Sequence, residues 1–241
     1  MIQVKNIGIL FVTIAITWLT LLSPKSLQAV ENTTYIYPPW KHTWGVRRAT
    51  SFKLRLFLGN KTTFQDPQGI ACTILKTWDD PDKTSDDDEL TAYGVNSGAN
   101  CIIYNSSMFS LAIYGLEDGH EKMNRPWGIA ADPDGNVYVV DRGNSRVLHL
   151  FNPESALEYV KTIGGPGSED GSFIDPNGVA LDSNGNIYVT DSALGRVSVF
   201  NKNGDLIDVW DGFIDPGGIA VIGPKTRNFY RDARFAIVID S

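Results

Sequence analysis

The chain has 241 residues, of which 42% are hydrophobic and 20% are charged. This length and composition are those of a globular protein that can bury a core, and they exclude a disordered or fibrous chain. The formal net charge of −7 argues against a nucleic-acid partner, because phosphate binding depends on clustered Lys and Arg.

The first 29 residues have the pattern of an export signal. Lys5 precedes an apolar run of sixteen residues, 7–22, and Leu27-Gln28-Ala29 offers a cleavage site. A membrane-spanning helix needs about 20 apolar residues, which favours a cleaved signal peptide. Leu27 is large for its place in such a site, so an uncleaved anchor is the alternative. We expect a secreted or periplasmic protein, or a membrane-anchored one that faces away from the cytoplasm.

Residues 30–51 predict a linker or an arm, because they are polar and aromatic and contain Pro38-Pro39, which forbids a helix. Residues 52–58 (FKLRLFL) alternate apolar and polar side chains, which predicts a strand. In the repeats that follow, a strand in this position ends the preceding unit. We therefore expect this N-terminal strand to close a circular array, since closure removes exposed sheet edges.

Four similar segments follow along the chain. Each begins with a Pro-x-Gly triplet and a short apolar run, and the four start at Asp66, Arg125, Asp175 and Asp215. The second and third continue through an Asn-bounded turn into two alternating strands. A period of about 40 residues with several strands per unit is typical of propellers and solenoids.

Each complete unit predicts four antiparallel strands. In the second unit they are residues 128–131, 137–140, 147–151 and 158–163. Gly135 and Gly185 are expected to adopt a positive φ in the first hairpin turn. The predicted fold class is all-β, a propeller of four-stranded antiparallel blades, and the expected closing strand favours a ring over an open solenoid.

The repeated pattern P-x-G-I-A-x-D, G-N-x-Y-V-x-D, R-V-x-x-F resembles that of the NHL repeats. The second and third units match it closely, the first keeps its outline, and the fourth keeps only its start. The resemblance covers about residues 52–241 and implies a β-propeller, usually of six blades. Here we expect an incomplete one of three blades and half of a fourth, whose third strand is missing at Ser241.

Two charged pairs recur at the same spacing, Asp141 with Arg146 and Asp191 with Arg196. In the first unit the equivalent residues are predicted to be Asn105 and Ser110, so both charges are lost together. We interpret each pair as a structural ion pair across the turn between the second and third strands.

Two cysteines, Cys72 and Cys101, align with Ala131 and Val137, which face each other across the first hairpin. In an exported protein, opposed cysteines predict a disulfide. Two buried free thiols are the alternative.

Candidate ligand-binding residues lie at two places in the repeat. The x residues of Pro-x-Gly are predicted to converge near a central channel, and the turns between second and third strands are predicted to flank them. The candidates are Gln68, Trp127, Asn177, Arg142, Asn144 and Ser192. Among them we find no nucleophile with a base, and no metal site is predicted because His42, His120 and His149 occupy non-equivalent positions.

The sequence therefore predicts an exported binding or interaction module for a protein or a small-molecule ligand, without a cofactor. A membrane would be a partner only if the N-terminal segment is retained. NHL-type relatives with amidating-lyase activity hold a metal with histidines around the axis. The alternative is thus a secreted metal-dependent lyase or lactonase-like hydrolase that uses calcium or zinc.

Overall fold

The computed structural model describes residues 64–77, 90–107, 110–116, 122–154, 156–222 and 235–240. It also describes the backbone of three short strands, β1 (Ile2–Asn6), β2 (Tyr35–Ile36) and β3 (Arg47–Arg48). Strands β2 and β3 pair with each other in the predicted arm. The predicted closing strand at 52–58 and the remainder of the predicted export signal lie outside the described residues. Within the described ranges no helix is long and apolar enough to cross a membrane.

Three antiparallel sheets of four strands form blades 1 to 3, each with its strands in chain order. Blade 1 contains β4 (Pro67–Ile74), β5 (Leu90–Asn96), β6 (Cys101–Ser107) and β7 (Ser110–Tyr114). Blade 2 contains β8 (Pro126–Ala131), β9 (Asn136–Asp141), β10 (Arg146–Phe151) and β11 (Glu158–Ile163). Blade 3 contains β12 (Pro176–Leu181), β13 (Ile187–Asp191), β14 (Arg196–Phe200) and β15 (Leu206–Asp211). The four strands predicted for the second unit are confirmed, and Gly135 and Gly185 have the expected positive φ, 92° and 79°.

Blade 4 has three strands, where two were predicted. Its first two are β16 (Pro216–Ile222) and β17 (Phe235–Asp240). The third is β1, which pairs antiparallel with β17 and places Ile2 opposite Ile239. The third strand was expected to be missing, and in the structure the first residues of the chain pair with β17 in its place.

The first strands of consecutive blades lie side by side, β4 beside β8, β8 beside β12 and β12 beside β16, as the predicted propeller arrangement requires. Their glycines explain the close approach. A Cβ atom on Gly69 would lie 2.7 Å from the carbonyl oxygen of Trp127, and the same atom on Gly128 would lie 2.5 Å from that of Asn177. Gly178 repeats this contact with Gly217, at 2.7 Å. Any side chain here would push adjacent blades apart. Among the described residues, blades 1 and 4 form the two ends of the row.

In the described residues the hydrophobic core consists mainly of layers between consecutive blades, with a smaller cluster within blade 1 around Cys101 and Ile103. Tyr93 of blade 1 packs in one layer with Val139 of blade 2, and Val140 of blade 2 packs in the next with Val189 of blade 3. A further layer joins blades 3 and 4. Strands in the middle of a blade are thus covered on both faces, which is why 137–140 is a continuous apolar run.

Blade 1 differs from its sequence-based alignment. Cys101 begins the third strand, whereas the prediction placed it in the second. The residues equivalent to Asp141 and Arg146 are therefore Asn96 and Cys101, and not Asn105 and Ser110. The long segment between β4 and β5 hid the correct match, although Ala-Tyr-Gly-Val-Asn in β5 resembles Val-Tyr-Val-Val-Asp in β9.

The predicted disulfide is also wrong. Cys72 lies opposite Ala92 of β5, and Cys101 lies opposite Asn96 of the same strand. Strand β5 therefore separates the two cysteines. Adjacent strands are about 4.8 Å apart, so residues two strands apart exceed the limit of about 7 Å between bridged Cα atoms. Both thiols are free; Cys72 is exposed and Cys101 is buried.

Candidate functional site

The last residue of each second strand holds the segment through which the chain enters the same blade. Its side-chain oxygen accepts a hydrogen bond from a backbone N–H just before Pro-x-Gly. The bonds run to Asn96 from Gln65 (2.7 Å), to Asp141 from Asn124 (2.7 Å), to Asp191 from Ile174 (2.8 Å) and to Asp240 from Ile214 (2.9 Å). These oxygens are buried acceptors, and the backbone donors satisfy them. For Asp141 and Asp191 the sequence had predicted only an arginine as partner.

Asp141 and Arg146 form the ion pair expected from their spacing, with 2.8 Å between Nε and Oδ2. Asn144 donates to the same carboxylate oxygen, also at 2.8 Å, and its amide bonds the carbonyl of Lys122 at 3.1 Å. Asn144 is thus part of the turn's own hydrogen-bond network. It was predicted as a ligand-binding residue.

The matching pair in blade 3 was wrongly predicted. Arg196 donates through Nη2 to the carbonyl oxygens of Glu169 and Ser172, at 2.6 and 2.9 Å. Its Nη1 lies 3.2 Å from a carboxylate oxygen of Asp170. The glycine-rich segment before β12 presents these oxygens to the guanidinium. Arg196 thus bonds this segment and not Asp191. Arg196 therefore stabilises the connection between blades 2 and 3.

Two of the candidate binding residues, Trp127 and Arg142, lie in contact. The Cζ atom of Arg142 is 4.7 Å from the centroid of the Trp127 ring. The guanidinium also makes two parallel hydrogen bonds to Asp175, from Nε at 2.5 Å and from Nη2 at 2.7 Å. The carboxylate of Asp175 raises the pKa of Arg142 above its usual value. Asp175 precedes β12, so this group of three bridges blades 2 and 3; sequence analysis had missed Asp175.

A second group bridges blades 3 and 4. The side-chain amide of Asn177 donates to Ser192 Oγ at 3.1 Å, and that hydroxyl donates to the carbonyl of Pro216 at 3.0 Å. Beside it, Thr190 Oγ1 donates to the carbonyl of Gly217 at 2.6 Å. Arg142 and Ser192 occupy equivalent positions, and each reaches the start of the following blade. The sequence signal for these contacts was the position of both residues directly after the repeated aspartate.

We call Trp127, Arg142, Asp175, Asn177 and Ser192 the axial surface. Gln68, the remaining candidate, bonds Asp66 of its own blade through Nε2 at 2.7 Å. The axial surface offers an aromatic ring, a guanidinium paired with a carboxylate, an amide and a hydroxyl. The side chains of Arg142 and Asp175 are 26% and 35% exposed. Such groups can stack on a ligand and exchange hydrogen bonds with it.

The described histidine lies away from this surface. His149 of β10 is buried, stacks on Tyr138 with 4.5 Å between ring centroids, and places Nε2 2.9 Å from Asn136 Oδ1. His42 and His120 lie outside the described residues. In the part of the chain that the structure describes, no three His, Cys, Asp or Glu side chains come together as metal ligands.

Comparison with known proteins supports the repeat assignment. The NHL repeat family matches residues 123–150 and 173–200. Protein wech of Drosophila melanogaster is 44% identical over 55 residues, which are 23% of this chain and 6% of that protein. The chain thus spans a small fraction of this relative's length.

Two solved structures show similarity at low sequence identity. A streptogramin B lyase structure is 16% identical with a TM-score of 0.46, over 66% of this chain and 45% of that one. A Kuenenia stuttgartiensis hydrazine synthase structure is 13% identical with a TM-score of 0.48, over 74% of this chain and 51% of that one. The chain spans about half of each. The two matched segments cover the first three strands of blades 2 and 3, so these two blades are NHL repeats.

Proposed function

We propose that this chain is an exported binding module that recognises a protein partner through its axial surface. The observation that carries the proposal is the contact of Trp127, Arg142 and Asp175. It joins two blades and keeps an aromatic ring and a guanidinium partly exposed in a fixed arrangement.

The chemistry of this group suits a protein interface. Trp and Arg are enriched among the residues that dominate binding energy at such interfaces. The bidentate contact with Asp175 already orients the Arg142 side chain, so less conformational entropy is lost on binding. Since the carboxylate compensates the guanidinium charge, recognition depends on stacking and hydrogen bonding more than on net charge. A cofactor is not part of this proposal.

Export is supported by Lys5 and the apolar run at 7–22. The partner is therefore expected among proteins outside the cytoplasm. A cleaved signal would leave a secreted or periplasmic module whose fourth blade lacks β1, and a retained one would place the module on a membrane.

The test compares four variants of the immobilised chain in capturing extracellular proteins from its source. Trp127→Ala and Arg142→Ala remove the central groups, and Tyr159→Ala and Lys202→Ala remove an exposed ring and an exposed cation in outer parts of blades 2 and 3. We expect the same proteins to be retained by the wild type and both controls and to be lost from the first two variants. Circular dichroism checks that all variants fold. Equal capture by Trp127→Ala and Tyr159→Ala would exclude the axial surface as the binding site.

Metal analysis addresses the enzymatic alternative. Stoichiometric zinc or calcium in the purified protein would favour a metal-dependent lyase or lactonase-like hydrolase over a binding module. If the axial surface retained only a small molecule, the proposed site would stand and its ligand would be a small molecule instead of a protein.

A further inference from the structure

Each blade has two faces, and equivalent positions on the two faces of the internal blades 2 and 3 are buried. The rear face packs on the preceding blade; there, Ile129 of blade 2 and Val179 of blade 3 are each 7% exposed. The front face packs on the following blade; there, Val140 and Thr190 are each 0% exposed. The repeat therefore makes one type of interface, which occurs three times among the described blades.

The end blades expose the same positions. Ile70 on the rear face of blade 1 is equivalent to Ile129 and Val179, and it is 57% exposed. Ile239 on the front face of blade 4 is equivalent to Val140 and Thr190, and it is 55% exposed. The inner strands at the two ends are thus the two halves of the contact that the internal blades complete, whereas Cys101 and Ile103, farther out on the rear face of blade 1, are already buried.

The backbone contacts show the same complementarity between the two ends of the row. Gly69, Gly128 and Gly178 each face a carbonyl oxygen of the next blade, at Trp127, Asn177 and Gly217. A Cβ atom on the equivalent Gly218 of blade 4 would instead lie nearest the Ile239 side chain of its own blade, at 3.3 Å. At the other end, the equivalent carbonyl is that of Gln68. One end has the glycine, and the other has the carbonyl that it would meet.

We propose that two copies of this chain associate head to tail, with the front face of blade 4 in one copy packed on the rear face of blade 1 in the other. The occupant is a second copy because the contact is the one already made three times inside the chain, with the same residue positions on each side. Such an interface joins two different patches and can close into a ring. The described blades of two copies would number eight. This proposal is independent of the axial surface.

The first test is the mass of the full chain in solution, by light scattering at micromolar concentration. We expect twice the mass of one chain. Ile70→Asp and Ile239→Asp should each reduce it to the single-chain value, since each places a carboxylate in the apolar contact. Ile207→Asp is the matched control, because Ile207 is 53% exposed on the outer strand β15 and lies on neither end.

A cross-link tests the orientation. Ala71 and Ala131 pack on the same core between blades 1 and 2. Their counterparts at the ends are Ala220 and the exposed native Cys72. Diamide oxidation of Ala220→Cys should give a covalent dimer on a non-reducing gel, and Ala193→Cys, in an exposed turn, should not. A single-chain mass for the wild type, or an oligomer that Ile70→Asp and Ile239→Asp leave intact, would overturn the proposal.

Discussion

Many of the buried polar side chains in the described residues bind backbone groups. Asp191 is fully buried and accepts hydrogen bonds from the backbone N–H groups of Ile174, Asp175 and Leu194. The repeated aspartate could be found in the sequence, and so could its position at the end of the second strand. Two of its three partners lie in another turn and become neighbours only when the sheet has formed. For this reason the nearby Arg196 was predicted as the partner of Asp191.

We expect Asp191→Ala to lower the free energy of unfolding by about 2–4 kcal/mol, because buried backbone donors lose a charged acceptor. Asp211→Ala, at an exposed position in β15, should change it by no more than about 0.5 kcal/mol. Urea unfolding monitored by circular dichroism measures both. Equal effects would show that the buried carboxylate is dispensable.

His149 makes stability depend on pH. Burial, with a smaller contribution from the charge of Lys161, lowers the pKa of His149 to about 4 in the folded protein. The unfolded chain has a His pKa of about 6.5, so it takes up the proton first as the pH falls. This contribution to stability is complete above about pH 6.5 and is lost progressively down to about pH 4.

Between pH 7.5 and 5.0 we expect the wild type to lose about 2 kcal/mol more than His149→Gln, which keeps a donor for Asn136 but does not titrate. Denaturant unfolding at the two pH values gives the difference. Carboxylates elsewhere contribute equally to both proteins and cancel. Parallel pH dependence in the two proteins would contradict a buried neutral imidazole.

At the scale of the strand, glycine decides how closely the blades approach. Alanine at Gly128 would place Cβ 2.5 Å from the carbonyl oxygen of Asn177. Alanine at Gly165 would place its Cβ with no neighbour from the described residues within 4 Å. Neither residue has a positive φ, so the comparison isolates the space between blades.

We expect Gly128→Ala to lower the free energy of unfolding by about 1–3 kcal/mol through overpacking, and Gly165→Ala to be neutral or slightly stabilising. Thermal and urea unfolding of the two variants provide the measurement. If Gly128→Ala were neutral, the close contact of adjacent inner strands would be wrong.

The strands of blades 2 and 3 could be predicted because their alternation and glycine-containing turns are local signals. Blade 1 could not be aligned in the same way. Its second strand follows a long segment after β4, so counting from the first turn placed Cys101 one strand too early. The tyrosine shared by β5 and β9, Tyr93 and Tyr138, was the better guide, since each packs in a layer between blades.

At the scale of the whole molecule, neighbouring blades stabilise one another. In repeat proteins stability is close to a sum of each unit's own stability and its contacts with adjacent units. Blades 2 and 3 have neighbours on both faces, and the described row ends at blades 1 and 4. Side-chain bonds also cross between blades, as from Asn152 to the hydroxyl of Tyr93 at 2.7 Å.

We therefore expect amide hydrogen exchange to be slowest in β9, β10, β13 and β14 and faster in β4 and β16, because opening a central strand breaks two packing layers. Mass spectrometry of peptides from the intact chain measures this order. Uniform protection across the four blades would show that the row unfolds as a single unit.

The sequence by itself determined the repeat, the four-stranded unit and the radial arrangement, because these depend on alternation, turn glycines and period, which are local properties. Only the tertiary structure decided the partners of Asp191 and Arg196, the separation of Cys72 from Cys101, and the contact of Trp127 with Arg142 and Asp175. Each of these is a meeting between residues of different strands or blades. Spacing along the chain does not specify where a long side chain points once several partners lie within its reach.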